Sequence, residues 1–197
     1  MKKTTRTTAA IALALSLTLA GCADTDDDAG TGAAEVAQEN ANVNDADVMF
    51  ATMMLPHHEQ AIEMSDIVLE KDDVDPDVRA LAEQIKAAQG PEIEQLEGWL
   101  EEWGVDADDM GSMDHGDHGS MSGMMSEADL EELRSADGQE ASRLFLEQMI
   151  EHHRGAVEMA EAQVEDGRSP EAVELARTIV ETQNEEIEQM ESLLQTL

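Results

Sequence analysis

The chain has 197 residues, with 46 acidic and 11 basic side chains for a net charge of −35, and its aromatic content is two Trp, two Phe and no Tyr. So acidic a surface repels phosphate backbones and anionic headgroups, which argues against nucleic acid as a partner and in favour of cations or basic proteins. One cysteine leaves no disulfide within the chain, and any soft metal ligand beyond it has to be methionine.

Reading in chain order, Lys2, Lys3 and Arg6 precede an apolar run from Ala9 to Leu19, followed by Ala20, Gly21 and Cys22. The run is too short for a lasting membrane helix, and small residues ending in cysteine resemble the lipobox of bacterial prolipoproteins. Residues 1–21 are therefore expected to be a lipoprotein signal peptide and Cys22 the lipidated first residue. This would anchor an exported protein at the periplasmic or extracellular face of the cell membrane, touching the bilayer through lipid only. Beyond residue 21 there remain 8 basic against 46 acidic side chains, a net of −38. Residues 22–44, rich in Asp, Ala, Gly, Thr and Asn, read as a disordered acidic spacer.

An internal repeat follows. Phe50, Met54, His57, His58, Ala61, Glu63 and Met64 correspond at constant offset to Phe145, Met149, His152, His153, Ala156, Glu158 and Met159. After the loss of one residue, Pro76, Leu81, Ile85, Gln89, Ile93, Gln95 and Leu100 match Pro170, Leu175, Ile179, Gln183, Ile187, Gln189 and Leu194. Apolar residues recur at helical spacing, and Asp75-Pro76 and Ser169-Pro170 mark second starts, with a capping side chain ahead of a proline that has no amide to lose. Each repeat, 45–104 and 126–197, is thus a helical hairpin. Ser126 with Asp129 predicts a short extra helix through Leu133, ending near Gly138. Pro56 and Gly90-Pro91 predict a kink or a late start. One hairpin cannot cover its own apolar face, so the expected fold is all-α: a four-helix bundle of two duplicated hairpins, joined by a flexible Met/His/Gly-rich linker over 105–125. In an up-down-up-down bundle the first and third long helices run the same way, which would bring both His-His pairs to one end.

Both repeats contain Met-x-x-His-His-x-x-Ala-x-Glu-Met. Side chains three and four apart on a helix are neighbours, so Met54 can share one ion with His57 or His58, and Met149 with His152 or His153. Met64 and Met159 lie two turns on and suit a second layer or an adjacent site. Thioether sulfur is soft and uncharged, and imidazole is borderline, a mixture that favours Cu(I) first, with Ag(I) or Cu(II) as alternatives. Core filling asks only for volume and would not need the same Met and His at both copies. Acidification toward pH 5 is expected to weaken imidazole binding through proton competition. In the linker, Met110, Met113, His115, His118, Met121, Met124 and Met125 stand among Gly, Ser and Asp, where a core does not explain them. They read as a secondary, looser metal arm.

With these residues in view, the chain resembles the bacterial family catalogued as domain of unknown function 305. The specific part is Met-Leu-Pro-His-His-Glu-Gln-Ala-Ile-Glu-Met and Met-Ile-Glu-His-His-Arg-Gly-Ala-Val-Glu-Met, with Gln-x-x-Glu-Ile-Glu-Gln runs from Gln89 and Gln183. The resemblance implies a ferritin-like helical bundle, and copper or silver handling at the cell envelope, as associated with some members. The expected function is a lipid-anchored binding protein for soft metal ions, serving copper sequestration, relay or tolerance and catalysing nothing. A copper-handling partner protein or a second copy of the chain would be its further contact. Two alternatives stand beside it. A ferritin-like di-iron oxidoreductase would need Glu-x-x-His pairs, whereas Met54, Leu55, Met149 and Ile150 occupy the positions three before the histidines. The other is an envelope lipoprotein whose histidines only pack.

Overall fold

The helices start where a side chain can satisfy the first free amides. Asn44 and Asp47 form a reciprocal capping box, Asp75 accepts from the amides of Asp77 and Val78, Ser126 and Asp129 form a second capping box, and Ser169 accepts from Ala172. In the computed structural model, which describes residues 42–105 and 122–197, these caps open four of five helices. They are α1 (Asp45–Leu69), α2 (Pro76–Glu102), α3 (Glu127–Ser135), α4 (Gly138–Asp166) and α5 (Pro170–Leu194), and no strand occurs among the described residues. Pro76 and Pro170 sit in the first turns as expected. The interior prolines do not delay a helix, since α1 runs through Pro56 and α2 through Pro91. The signal segment, Cys22 and the spacer up to residue 41 lie outside the described residues.

The bundle is all-α, but its topology corrects the up-down-up-down expectation. Asn44 Nδ2 donates to the carbonyl of Asp166, and Asp47 accepts from Gln163 Nε2, so the start of α1 meets the end of α4. At the other end of the bundle the amide of Asp75 donates to Ser142 Oγ, near the start of α4. Helices α1 and α4 are therefore antiparallel, and the histidine pairs meet at mid-length rather than at one end. The cause is the connection between hairpins. Residues 122–126 and α3 carry the chain back along α1, with Arg134 paired to Glu63 and Lys71 Nζ donating to the carbonyls of Arg134 and Ala136. A single long crossover of this kind is one of the two ways to join antiparallel hairpins, and periodicity within the helices does not encode which is used.

The register set by Asn44–Asp166 and Asp47–Gln163 relates the repeats by a pseudo-twofold axis across the middle of α1 and α4. The apolar core accordingly divides in two. One half holds Phe50, Met54, Leu96, Ala156 and Ile179, and the other holds Ala61, Met64, Leu81, Ile85, Phe145 and Met149. Full burial of side chains this size contributes about 1.5–3 kcal/mol each. Between the halves lies a polar layer, which is the site.

Candidate metal centre

His57 and His152 face each other across the pseudo-twofold axis, with ring centroids 3.7 Å apart and planes tilted by 39°. Both come from the middle of long helices whose flanking turns are fixed in the two core halves, so the rings are held where they are. His58 and His153, one position on, turn instead toward the second helix of their own hairpin. His58 Nε2 lies 2.7 Å from Glu92 Oε2, and His153 Nε2 lies 2.7 Å from Glu186 Oε2. All four imidazoles are buried, the most accessible showing 1% of its surface. Each pair thus divides, one ring facing the other repeat and the other ring facing a carboxylate.

The hydrogen-bond partners decide the tautomers. A carbonyl only accepts, so His57 Nε2, 3.1 Å from the carbonyl oxygen of Ser122, carries its proton there. The carboxylates place the proton of His58 and His153 on Nε2 in the same way. Among the described residues, Nδ1 of His57, His58 and His153, and both ring nitrogens of His152, have no hydrogen-bond partner. Three imidazoles thus expose an Nδ1 lone pair inside the bundle, and buried polar atoms left unpaired are uncommon enough to need a reason. Burial, and secondarily the charges of the neighbouring histidines, push His57 down to about 4 and His152 well below its usual value. For His57 this weighs against the expected loss of imidazole ligation near pH 5, because a ring pushed down to about 4 stays mostly neutral there.

The methionines take places set by the antiparallel register. It puts Met54 opposite Ala156 and Met149 opposite Ala61, so the alanine of each motif makes room for the methionine of the other repeat. Met54 lies in one core half with Met159 packed at its edge, and Met64 shares the other half with Met149. Each half thus holds the first methionine of one motif and the last of the other, on either side of the histidines. Met54, Met64 and Met149 are fully buried, and Met159 is half-buried. The four imidazoles are buried, and clefts of about 270 and 540 Å³ lie near Pro170, the first also bordered by Trp99 and Trp103. Among the described residues no three His, Cys, Asp or Glu side chains converge on one point. A soft ion bound here would need thioether sulfur alongside imidazole.

Of the linker residues, Met110, Met113, His115, His118 and Met121 lie outside the described residues. Met124 and Met125 are described and correct the expectation that a core does not explain them, since both are half-buried and Met125 packs on the core. The amide of Met125 donates to Gln60 Oε1 and its carbonyl accepts from Gln60 Nε2, at 2.7 and 2.9 Å. Ser122 Oγ donates to Glu158, and the Ser122 carbonyl covers His57. This strap lies against α4 where Gly155 has no side chain. A Cβ there would overlap the Ser122 carbonyl, and one on Gly123 (φ +81°) would come within 2.6 Å of the Glu151 carbonyl oxygen. Gln60 and Gly155 occupy equivalent positions of the two motifs, so the repeats diverge where one chain segment must pass.

Sequence reading missed Glu92 and Glu186. Their signal was the repeated Gln-x-x-Glu run, lost against an acid-rich background. It noted Gln89 and Gln183 in the repeat but gave them no role; both are buried one turn earlier, and their amide oxygens have no partner among the described residues.

Comparison with known proteins agrees with this architecture. The profile of the family described as domain of unknown function 305 matches residues 47–194. A family protein from Streptomyces coelicolor, regarded as secreted, has a similar structure at 40% identity and a TM-score of 0.68, over 77% of this chain and 93% of that one. A fragment of the family from Deinococcus radiodurans matches at 35% identity and TM-score 0.66, over 79% and 99%. CopM in its Cu(I)-bound form matches at 31% identity and TM-score 0.62, over 76% and 96%, and Cu(II)-bound and Ag-bound forms of CopM are similar too. No curated protein matches the chain.

Proposed function

The chain belongs to the family described as domain of unknown function 305, and from that premise we propose that it is a binding protein for soft metal ions, Cu(I) foremost and Ag(I) or Cu(II) after it. The observation that carries the reading is the polar layer: four buried imidazoles, unpartnered at Nδ1, between two methionine-bearing core halves. His57, His58, His152 and His153 would supply nitrogen, and Met54 and Met149, with Met64 and Met159 farther out, would supply sulfur. Neutral imidazole and thioether suit a monovalent soft ion, and the acidic surface draws cations toward the bundle. CopM, of similar fold, binds Cu(I), Cu(II) and Ag. On this reading the protein catalyses nothing. It is exported and held at the cell membrane by lipid on Cys22, sequestering or relaying copper, with the methionines and histidines of 110–121 as a loose capture arm.

Anaerobic competitive Cu(I) titration tests the reading. The comparison is the wild-type chain against a variant with His57, His58, His152 and His153 replaced by Gln, and one with the Met and His of 110–121 replaced by Ser. The four-histidine variant should lose the tight site while keeping its helical circular dichroism. Unchanged affinity there rejects the bundle site, and loss of all binding in the second variant moves the function to the arm. A second reading rests on the buried His58–Glu92 and His153–Glu186 bonds, which tie the two helices of each hairpin. In that case the polar layer only fixes the pairing of helices, a role attested for buried polar groups elsewhere, and no Cu(I) is retained.

A further inference from the structure

His58 and His153 make the same contact in both repeats. In each, Nε2 lies 2.7 Å from a glutamate oxygen, on α2 in one half and on α5 in the other. The glutamate side chains are 17% and 8% exposed, whereas most acidic side chains among the described residues stand in water. The surroundings of the two pairs have drifted apart. Gly90-Pro91 precedes Glu92 where Asn184-Glu185 precedes Glu186, and Gln60 stands in one motif where Gly155 stands in the other. The bond persists through those differences.

From this pair of contacts we propose that Glu92 and Glu186 are positioning residues of the metal centre, locking His58 and His153 in the tautomer that leaves Nδ1 free as a donor. The inference rests on the metal-binding reading and assigns two residues to it. A carboxylate can only accept, so it fixes the proton on Nε2 and leaves the Nδ1 lone pairs, both unpartnered, as the sole remaining donors. An amide would not, because its NH2 can donate to Nε2 and send the ring proton to Nδ1, where it blocks ligation. The carboxylates also supply two negative charges beside a ligand set that is otherwise neutral. They thereby raise the donor strength of the imidazoles and offset the charge of an entering cation.

The test uses the full chain with Glu92→Gln and Glu186→Gln, singly and together, and the exposed Glu94→Gln as control. Nitrogen-15 NMR of the metal-free protein reads the ring tautomers. Wild type and control should show His58 and His153 protonated at Nε2, and each variant should show its own histidine partly or wholly protonated at Nδ1. Competitive titration should then give Cu(I) affinity about 10–100-fold weaker in the double variant. The Cu(II)/Cu(I) midpoint potential should move upward, because a nearby anion stabilises the more highly charged ion more. A purely structural pair of bonds would leave affinity and potential unmoved once folding is complete. If the variants keep the Nε2 tautomer, or bind Cu(I) within twofold of wild type, the inference is overturned alone. If wild type takes up no Cu(I), the reading beneath it falls instead.

Discussion

Replacing Gly155 with alanine separates the strap from the bundle, because the new Cβ would overlap the Ser122 carbonyl and lie 2.8 Å from the Gly123 nitrogen. The strap has to lift. Lifting it removes the hydrogen bond from His57 Nε2 to Ser122 and the two bonds between Gln60 and Met125, all part-buried. At about 1 kcal/mol net each these total about 3 kcal/mol. Against that, alanine in a helix interior is favoured over glycine by about 1 kcal/mol. The expected balance is about 2 kcal/mol of destabilisation, a fall in Tm of about 4–8 °C for a domain of this size. Gly98 is the internal control, since no described residue lies within 4 Å of a Cβ built there. Gly98→Ala should therefore stabilise by up to about 1 kcal/mol. Urea unfolding measures both, and hydrogen exchange at the Met125 amide reports the strap directly. A Gly155→Ala protein as stable as Gly98→Ala, with the Met125 amide still protected, would refute the strap's place against α4.

Asp47 is buried and accepts from Gln163 Nε2 and the amides of Asn44, Arg168 and Ser169. Asp47→Ala strands those four donors at about 1–3 kcal/mol each, so urea unfolding should show a loss of at least about 4 kcal/mol. His57 is pushed from 6.5 down to about 4, chiefly by burial. Its stabilising contribution is therefore complete above pH 6.5 and declines as pH falls toward 4, because the unfolded chain takes up the proton first. The difference in stability between metal-free wild type and His57→Gln should shrink by about 3 kcal/mol across that window, and a pH-independent difference would contradict it. Met54→Leu with Met149→Leu conserves volume, so stability should stay within about 1.5 kcal/mol. Competitive titration should show Cu(I) binding weakened at least tenfold while Cu(II) binding changes little, and equal losses for the two ions would remove sulfur from the tight site.

The helices and three of their starts were legible because Asp75, Ser126 and Ser169 act within three residues of themselves, and because the repeat displays the same apolar spacing twice; Asn44, which caps α1, reads by composition as the end of the spacer. The motif residues were legible for the same reason. The direction of α4 against α1 was not. It depends on the path between Trp103 and Ser126, where glycine and serine leave no periodicity to read. From that one error followed the misplacement of the histidines, at one end rather than in the middle. Glu92 and Glu186 escaped because contact across two helices of a hairpin leaves no local mark, and each is one carboxylate among many. Met124 and Met125 resembled their flexible neighbours in composition, and only the long-range bonds to Gln60 distinguish them.

The antiparallel arrangement also sets where any connection between the hairpins can go. Helix α2 delivers the chain about 40 Å from its start, to the end of the bundle away from where α4 begins. The joining segment has to travel back the whole way, whatever its composition. The furrow between α1 and α4 offers a direct road, and the midpoint of that road is the imidazole layer. The described end of that return, residues 122–126, already lies at this layer, where the Ser122 carbonyl meets His57 Nε2.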